Sequence, residues 1–181
     1  MLLAQFAAKR DISLHAVDPA PAFDVVEFEQ RFDGAFEFHR ERSHDALGEI
    51  GPAAAVLIDG DHNWYTVYGE LARLETIAAT ADHHFPLTML HDVEWPYARR
   101  DMYYDPDSIP EAWRQPWAHR GIRWGEPLLD EAGGGVNGHL ANAIEEGGPC
   151  NGVLTAVEDF SADPARPGRT RQWGPARSSH R

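Results

Sequence analysis

Two apolar periods alternate along this chain. In MLLAQFAAK, Leu2, Leu3, Phe6 and Ala7 share one helical face. ISLHAVD then reads as a short buried strand ending in Asp18, and Pro19 and Pro21 force the chain out of it. DVVEFEQRF predicts a short helix, AFEFHRE an alternating strand that runs into Ser43, His44 and Asp45, and DALGEIG a helix closed by Gly51. AAAVLID is an apolar strand ending in Asp59. NWYTVYGELARLETIAATA spaces Trp64, Val67, Tyr68, Leu71, Leu74 and Ile77 by threes and fours, which predicts a helix of about five turns. PLTMLHD is another buried strand, ending in His91 and Asp92. Residues 94–150 mix Trp, Tyr, Pro and Gly with few regular periods, and GVLTAVEDF predicts a late strand.

Strands alternating with helices, each strand a near-continuous apolar run, predict an α/β fold: a mostly parallel sheet with helices on both faces. In such sheets ligands gather beyond the carboxyl ends of the strands. Asp18, the Ser43–Asp45 group, Asp59–His62 and His91–Asp92 all follow strands directly, so these polar endings should share one edge. Asp18 could hold the hydroxyls of a ribose or simply cap its own turn, and spacing does not decide between them. Asp59, Asp61, His62, His91 and Asp92 could bind a divalent cation. Carboxylates favour a hard ion such as Mg²⁺, whereas several imidazoles shift the choice towards zinc or manganese. Part of this set has a local alternative, with Asp61 or Asn63 capping the long helix and Asp59 holding its loop. All five together would repel unless a cation or donor sat among them. His62, beside two acids and with a side chain that titrates near neutrality, is the candidate general base.

Charge narrows the partners. Lys and Arg number 16 against 29 Asp and Glu, a net of −13, which argues against a nucleic-acid backbone or an anionic membrane. From Ser161 onward five arginines face one aspartate, so residues 1–160 carry −17. That final segment has no Val, Leu, Ile, Met or Phe and predicts a disordered basic tail over 161–181, with a basic interaction arm as the alternative. One cysteine, Cys150, excludes an internal disulfide and fits a reducing compartment. With no signal-peptide pattern and no apolar run of membrane-spanning length, the expected location is cytoplasmic. A homo-oligomer stays open.

The motifs also carry a resemblance. VLIDGDHNWYTVYGELARLE followed by TMLHDVEWPYARRDMYYDPDSIP resembles the class I S-adenosylmethionine-dependent methyltransferase superfamily. It is most similar to the branch whose fourth strand ends in an IDGDH-type motif and whose fifth ends in HD, related to macrocin-type O-methyltransferases and cephalosporin-hydroxylase-like proteins. GGPCNGVLTAVEDF is similar to the closing segment of one bacterial subgroup, and the likeness spans residues 1–160.

The resemblance implies a Rossmann-like domain and methyl transfer from S-adenosyl-L-methionine to a hydroxyl of a small-molecule acceptor, a sugar-containing one among the options. It implies cofactor contacts at Asp18, Ser43, His44 and Asp59, a metal held by Asp59, His91 and Asp92, and His62 near the transferred methyl. Metal-binding relatives carry an acid where this chain has His91. Residues 95–125 would then be a lid over the acceptor, with Trp95, Tyr97, Arg99 and Arg100 as substrate-binding residues. The chain begins inside what would be the family's first helix. The resemblance therefore implies an N-terminally truncated domain without the first strand and its glycine-rich turn. Two other readings accompany it: a vestigial Rossmann-like domain without activity, and a metal-dependent hydrolase built on the Asp and His cluster.

Overall fold

A computed structural model describes residues 1–164. The chain is mixed α/β. In order run α1 (Leu2–Arg10), β1 (Leu14–Val17), α2 (Val25–Arg31), β2 (Phe36–His39), α3 (Ser43–Ile50), β3 (Ala55–Ile58), α4 (Trp64–Thr80) and β4 (Leu87–Leu90). Three short strands follow, β5 (Met102–Tyr103), β6 (Trp117–Ala118) and β7 (Ala141–Ala143), and then α5 (Val153–Ala162). No helix among the described residues is long and apolar enough to cross a membrane.

The predicted parallel strands exist, but not as one sheet. β1 pairs with β2 and β3 with β4, both in parallel, as two separate two-stranded sheets; β5, β7 and β6 form a third, antiparallel sheet. The prediction of helices on both faces is also corrected at β3/β4. One face, Val56, Ile58 and Leu90, packs on α4 and α5 through Trp64, Val67, Leu71, Leu74, Val153, Ala156 and Phe160. The other face, Ala55, Leu57, Leu87 and Met89, is exposed, and the register sets these four side by side. α1 behaves similarly. Its small residues Ala4 and Ala7 are buried, while Leu2, Leu3 and Phe6 of the predicted apolar face are exposed.

GVLTAVEDF is not a strand. Val153, Ala156 and Phe160 recur at spacings of three and four, and all three are buried against α4, so the helical period wins over the β-branched composition. Gly152 makes the sharp entry into α5 with φ of 93°, and a Cβ there would come within 2.5 Å of Ala98 O. Ser161 and Ala162, assigned above to the tail, close α5; the rest of the predicted tail, from residue 165, lies outside the described residues.

Residues 95–125 are not a free lid either. They belong to a packed module around β5, β6 and β7, with Tyr97, Met102, Ile122 and Leu129 forming one small core and Tyr103, Ile109 and Ala141 another. Asp101 fastens this module to the rest. Its Oδ1 accepts from the backbone N–H of Trp64, the first residue of α4, at 2.7 Å and from that of Gly152, just before α5, at 2.6 Å. Its Oδ2 accepts from the Tyr103 hydroxyl at 2.8 Å. Two helix N-termini and a strand are thus held by one fully buried carboxylate, whose pKa burial pushes up to about 6 despite these donors. Replacing Asp101 by Ala should cost about 3–5 kcal/mol, because three buried donors lose their acceptor at once. The drop would be read in the urea unfolding midpoint.

Glu70, on α4, is a second buried acid, and burial raises its pKa to about 7 although the Ser43 hydroxyl bonds to it. A carboxyl whose pKa is higher folded than unfolded costs stability when ionised, and the cost is relieved as pH falls through the folded value. Stability should therefore rise between about pH 8 and pH 5. Glu70→Gln should raise the thermal midpoint at pH 8 and flatten that slope, measured by calorimetry across the range.

Candidate functional site

The site is built by the register of β3 on β4. Ile58 opposite Leu90, extended by a His91 N–H donating to Ile58 O at 3.0 Å, sets Asp59 beside His91 just past the strand ends. Asp92 has a left-handed φ of 54°, which aspartate tolerates, and its carboxylate reaches both histidines of the cluster. On the other chain segment, Asn63 caps α4 by accepting from the Thr66 N–H at 2.9 Å, as one of the two sequence alternatives had it. That cap fixes the loop carrying His62. The His62 carbonyl also accepts from the Met102 N–H at 3.0 Å, and its ring stacks on Tyr97 with centroids 5.6 Å apart.

Four side chains converge there. His62 Nε2 lies 3.5 Å from Asp59 Oδ1 and 3.2 Å from Asp92 Oδ2. His91 Nδ1 lies 3.3 Å from Asp59 Oδ1 and 3.2 Å from Asp92 Oδ1. His62 is buried, and neither ring nitrogen makes a hydrogen bond of good geometry. Orphaned buried nitrogens are costly. A tetrahedral ion with nitrogen and oxygen ligands at about 2.0–2.2 Å separates its ligands by about 3.3–3.5 Å. The four distances fall around that edge. The residues present therefore fit a divalent ion, and two imidazoles with two carboxylates suit zinc or manganese better than Mg²⁺. Asp59, His62 and His91 are mutually close enough to share such an ion, with Asp92 beside them.

Asp61 stands outside this cluster. It accepts from Asn63 Nδ2 at 2.6 Å and from the Tyr104 N–H at 3.2 Å, and burial raises its pKa. Asp18 follows β1, which lies in a different sheet from β3 and β4. Burial first, and then the charges of Asp61, Asp59, Asp92 and Asp18, push the Tyr104 phenol up. Exposed Tyr104 stands near the β3/β4 cluster, its N–H donating to Asp61. Asp18 also does the local job that spacing left open, since its Oδ1 accepts from the Ala20 N–H at 2.8 Å.

The remaining sequence-predicted residues go elsewhere. Ser43 bonds to Glu70, and His44 Nε2 lies 3.0 Å from Thr66 O, so both are directed at α4. The His44 ring fits there because Gly69 has no Cβ; one would lie 2.6 Å from Nε2. His44 lines a cleft of about 670 Å³ with Tyr65, Tyr68, Arg73 and Cys150, and no other predicted site residue borders it. Arg99 forks onto Glu158 at 2.7 and 2.8 Å. Arg100 is fully buried, donating to the carbonyls of Ala143, Ile144 and Pro127. A guanidinium so enclosed cannot greet an acceptor, so its assignment to substrate binding is corrected. Tyr97 is buried too, with its hydroxyl accepting from Asn137 Nδ2 at 2.9 Å and donating to Asn142 Oδ1 at 3.3 Å. It is the floor under His62 and not a substrate contact. Trp95 is half-buried against the same small core, with its ring edge-on to Trp124.

Sequence reasoning missed Asp101, Asn142, Asn151 and Tyr104. The first three are polar residues hidden in an aperiodic stretch, whose fully or almost fully buried positions no local pattern announces. Compared with family models, curated proteins and solved structures, the chain matches none.

The donor set predicts that Mn²⁺ binds at the rim. In a titration followed by loss of the free-ion electron paramagnetic resonance signal, His62→Ala and Asp92→Asn should each weaken uptake at least about tenfold. Arg99→Ala, away from the cluster, should leave uptake unchanged.

Proposed function

We propose that this chain carries out, or descends from a domain that carries out, S-adenosylmethionine-dependent methyl transfer to a hydroxyl of a small-molecule acceptor, assisted by a divalent ion. The observation that supports this reading is the convergence of Asp59 and Asp92, just past the ends of the parallel strands β3 and β4, with His62 and His91. The sequence resemblance points the same way. When bound, the cofactor supplies a methyl already activated on its sulfonium, and a cation beside the acceptor lowers the pKa of its hydroxyl.

The chain's own residues divide the work. Asp59, His62, His91 and Asp92 would hold the ion. His62 serves here as a ligand rather than the general base expected from sequence, because it is buried between two carboxylates on Tyr97. Asp59 and His91 are more than half exposed, so the ion they would hold faces an incoming acceptor, and the second Asp59 oxygen is placed to take its proton. Asp18 has a carboxylate oxygen without a hydrogen-bond partner among the described residues and would receive a ribose hydroxyl. Ordering the acceptor in line with the methyl is the main remaining task, and packed loops such as 95–125 do that better than mobile ones.

A second reading rests on the divided sheet. With its parallel strands in two pairs, the rim would keep its ion and hold no nucleotide, leaving a vestigial domain without transfer activity. Calorimetric titration with S-adenosylhomocysteine, with and without Mn²⁺, separates the two. Micromolar binding that falls at least about tenfold in Asp18→Ala is the expected result for a methyltransferase site. Metal uptake with no nucleoside binding would favour the vestigial domain and sink the first reading.

A further inference from the structure

A second histidine–carboxylate cluster lies on the β1/β2 pair and runs from its interior to its carboxyl end. The register places His15 directly opposite Glu37 and Val17 opposite His39, so His15, Glu37 and His39 project from the same face of two adjacent strands. Their ligand atoms form a small triangle. His15 Nδ1 is 3.0 Å from His39 Nε2, Glu37 Oε2 is 3.7 Å from His15 Nδ1, and Glu37 Oε1 is 3.8 Å from His39 Nε2. The two rings stack with centroids 5.3 Å apart. All three atoms lie close enough together for one ion.

We propose that His15, Glu37 and His39 form a zinc-type metal site that clamps β1 to β2. Two imidazoles and one carboxylate are a recurrent three-ligand set for zinc, with the fourth position left to water or a further ligand. Ligands about 2.0–2.2 Å from a tetrahedral ion sit about 3.3–3.5 Å apart, and the observed distances straddle that value. A single carboxylate disfavours Mg²⁺ and Ca²⁺, which want more oxygen ligands. The strands fix the backbone of all three residues, so little has to be ordered when the ion arrives. Glu37 is mostly exposed, which leaves a route from solvent, while His39 is nearly covered and His15 partly so. Without an ion the 3.0 Å nitrogen pair is an N–H···N hydrogen bond, which needs a neutral ring as acceptor. An ion replaces that bond with two coordinate bonds spanning the strands. The site is independent of the methyltransferase reading and shares no residue with the rim.

The test uses Co²⁺, whose visible absorption reports tetrahedral nitrogen and oxygen coordination, on the full chain. The wild type should take up two equivalents, one at the rim and one here. Glu37→Gln and His39→Gln should each remove or weaken one equivalent at least about tenfold. His62→Ala should remove the other and leave this one intact. Glu37 is exposed, so Glu37→Gln keeps the test valid if a histidine variant fails to fold. A single equivalent that Glu37→Gln abolishes would support this site and count against the rim. Uptake indifferent to both Glu37→Gln and His39→Gln, or no uptake at all, would overturn the proposal.

Discussion

One buried carboxylate holds the arrangement together. Asp101 offers two oxygens to three donors that have no other acceptor in the described structure: the first N–H of α4, the N–H that opens α5, and the Tyr103 hydroxyl. Helix N-termini carry unsatisfied N–H groups and a partial positive charge, so two of them converging on one anion is favourable despite burial. The Asp101 backbone takes part as well, its N–H donating to Asn151 Oδ1 at 2.7 Å and its carbonyl accepting from the Ala143 N–H. The loop that carries His62 sits immediately before α4, and Met102, next to Asp101, bonds to the His62 carbonyl. The geometry of the rim is thus inherited from a joint that is not itself part of it.

Electrostatics explains why the rim is assembled as it is. Residues 1–160 carry −17, and the charges of four aspartates act on one tyrosine. Such a collection of negative charge in a half-sheltered crevice is unstable by itself. Histidines interleaved among the acids allow the site to be neutralised either by protons or by a cation. Away from the histidines, burial raises the pKa of Asp61 and Asp101, as it does that of Glu70.

Much of the fold was legible because strands and long helices advertise themselves by period. β1 to β4, α4 and its face of Trp64, Val67, Leu71 and Leu74 follow from spacing alone. The strand-end cluster was legible too, since parallel strands deliver consecutive residues to a common end. What failed had identifiable causes. α5 was misread because a short apolar segment rich in valine suits either period. The arginines after Pro96 were taken for ligand-binding groups because a sequence does not reveal burial, and Arg100 turned out to be enclosed. The division of the parallel strands into two pairs depends on lateral order, which strand sequences do not encode. The His15, Glu37 and His39 cluster needed the register of two strands more than 20 residues apart.

The split sheet has a mechanical consequence. The large core unites β3, β4, α4 and α5, and the two smaller cores support the module after β4. None of the three clusters includes a buried residue from α1, β1, α2 or β2. The amino-terminal quarter is held instead by buried Ala4, Ala7, Phe32 and Ala35 and by ring contacts of Phe28 with Phe23, Phe32 and Phe36, so its cohesion is separate from that of the large core.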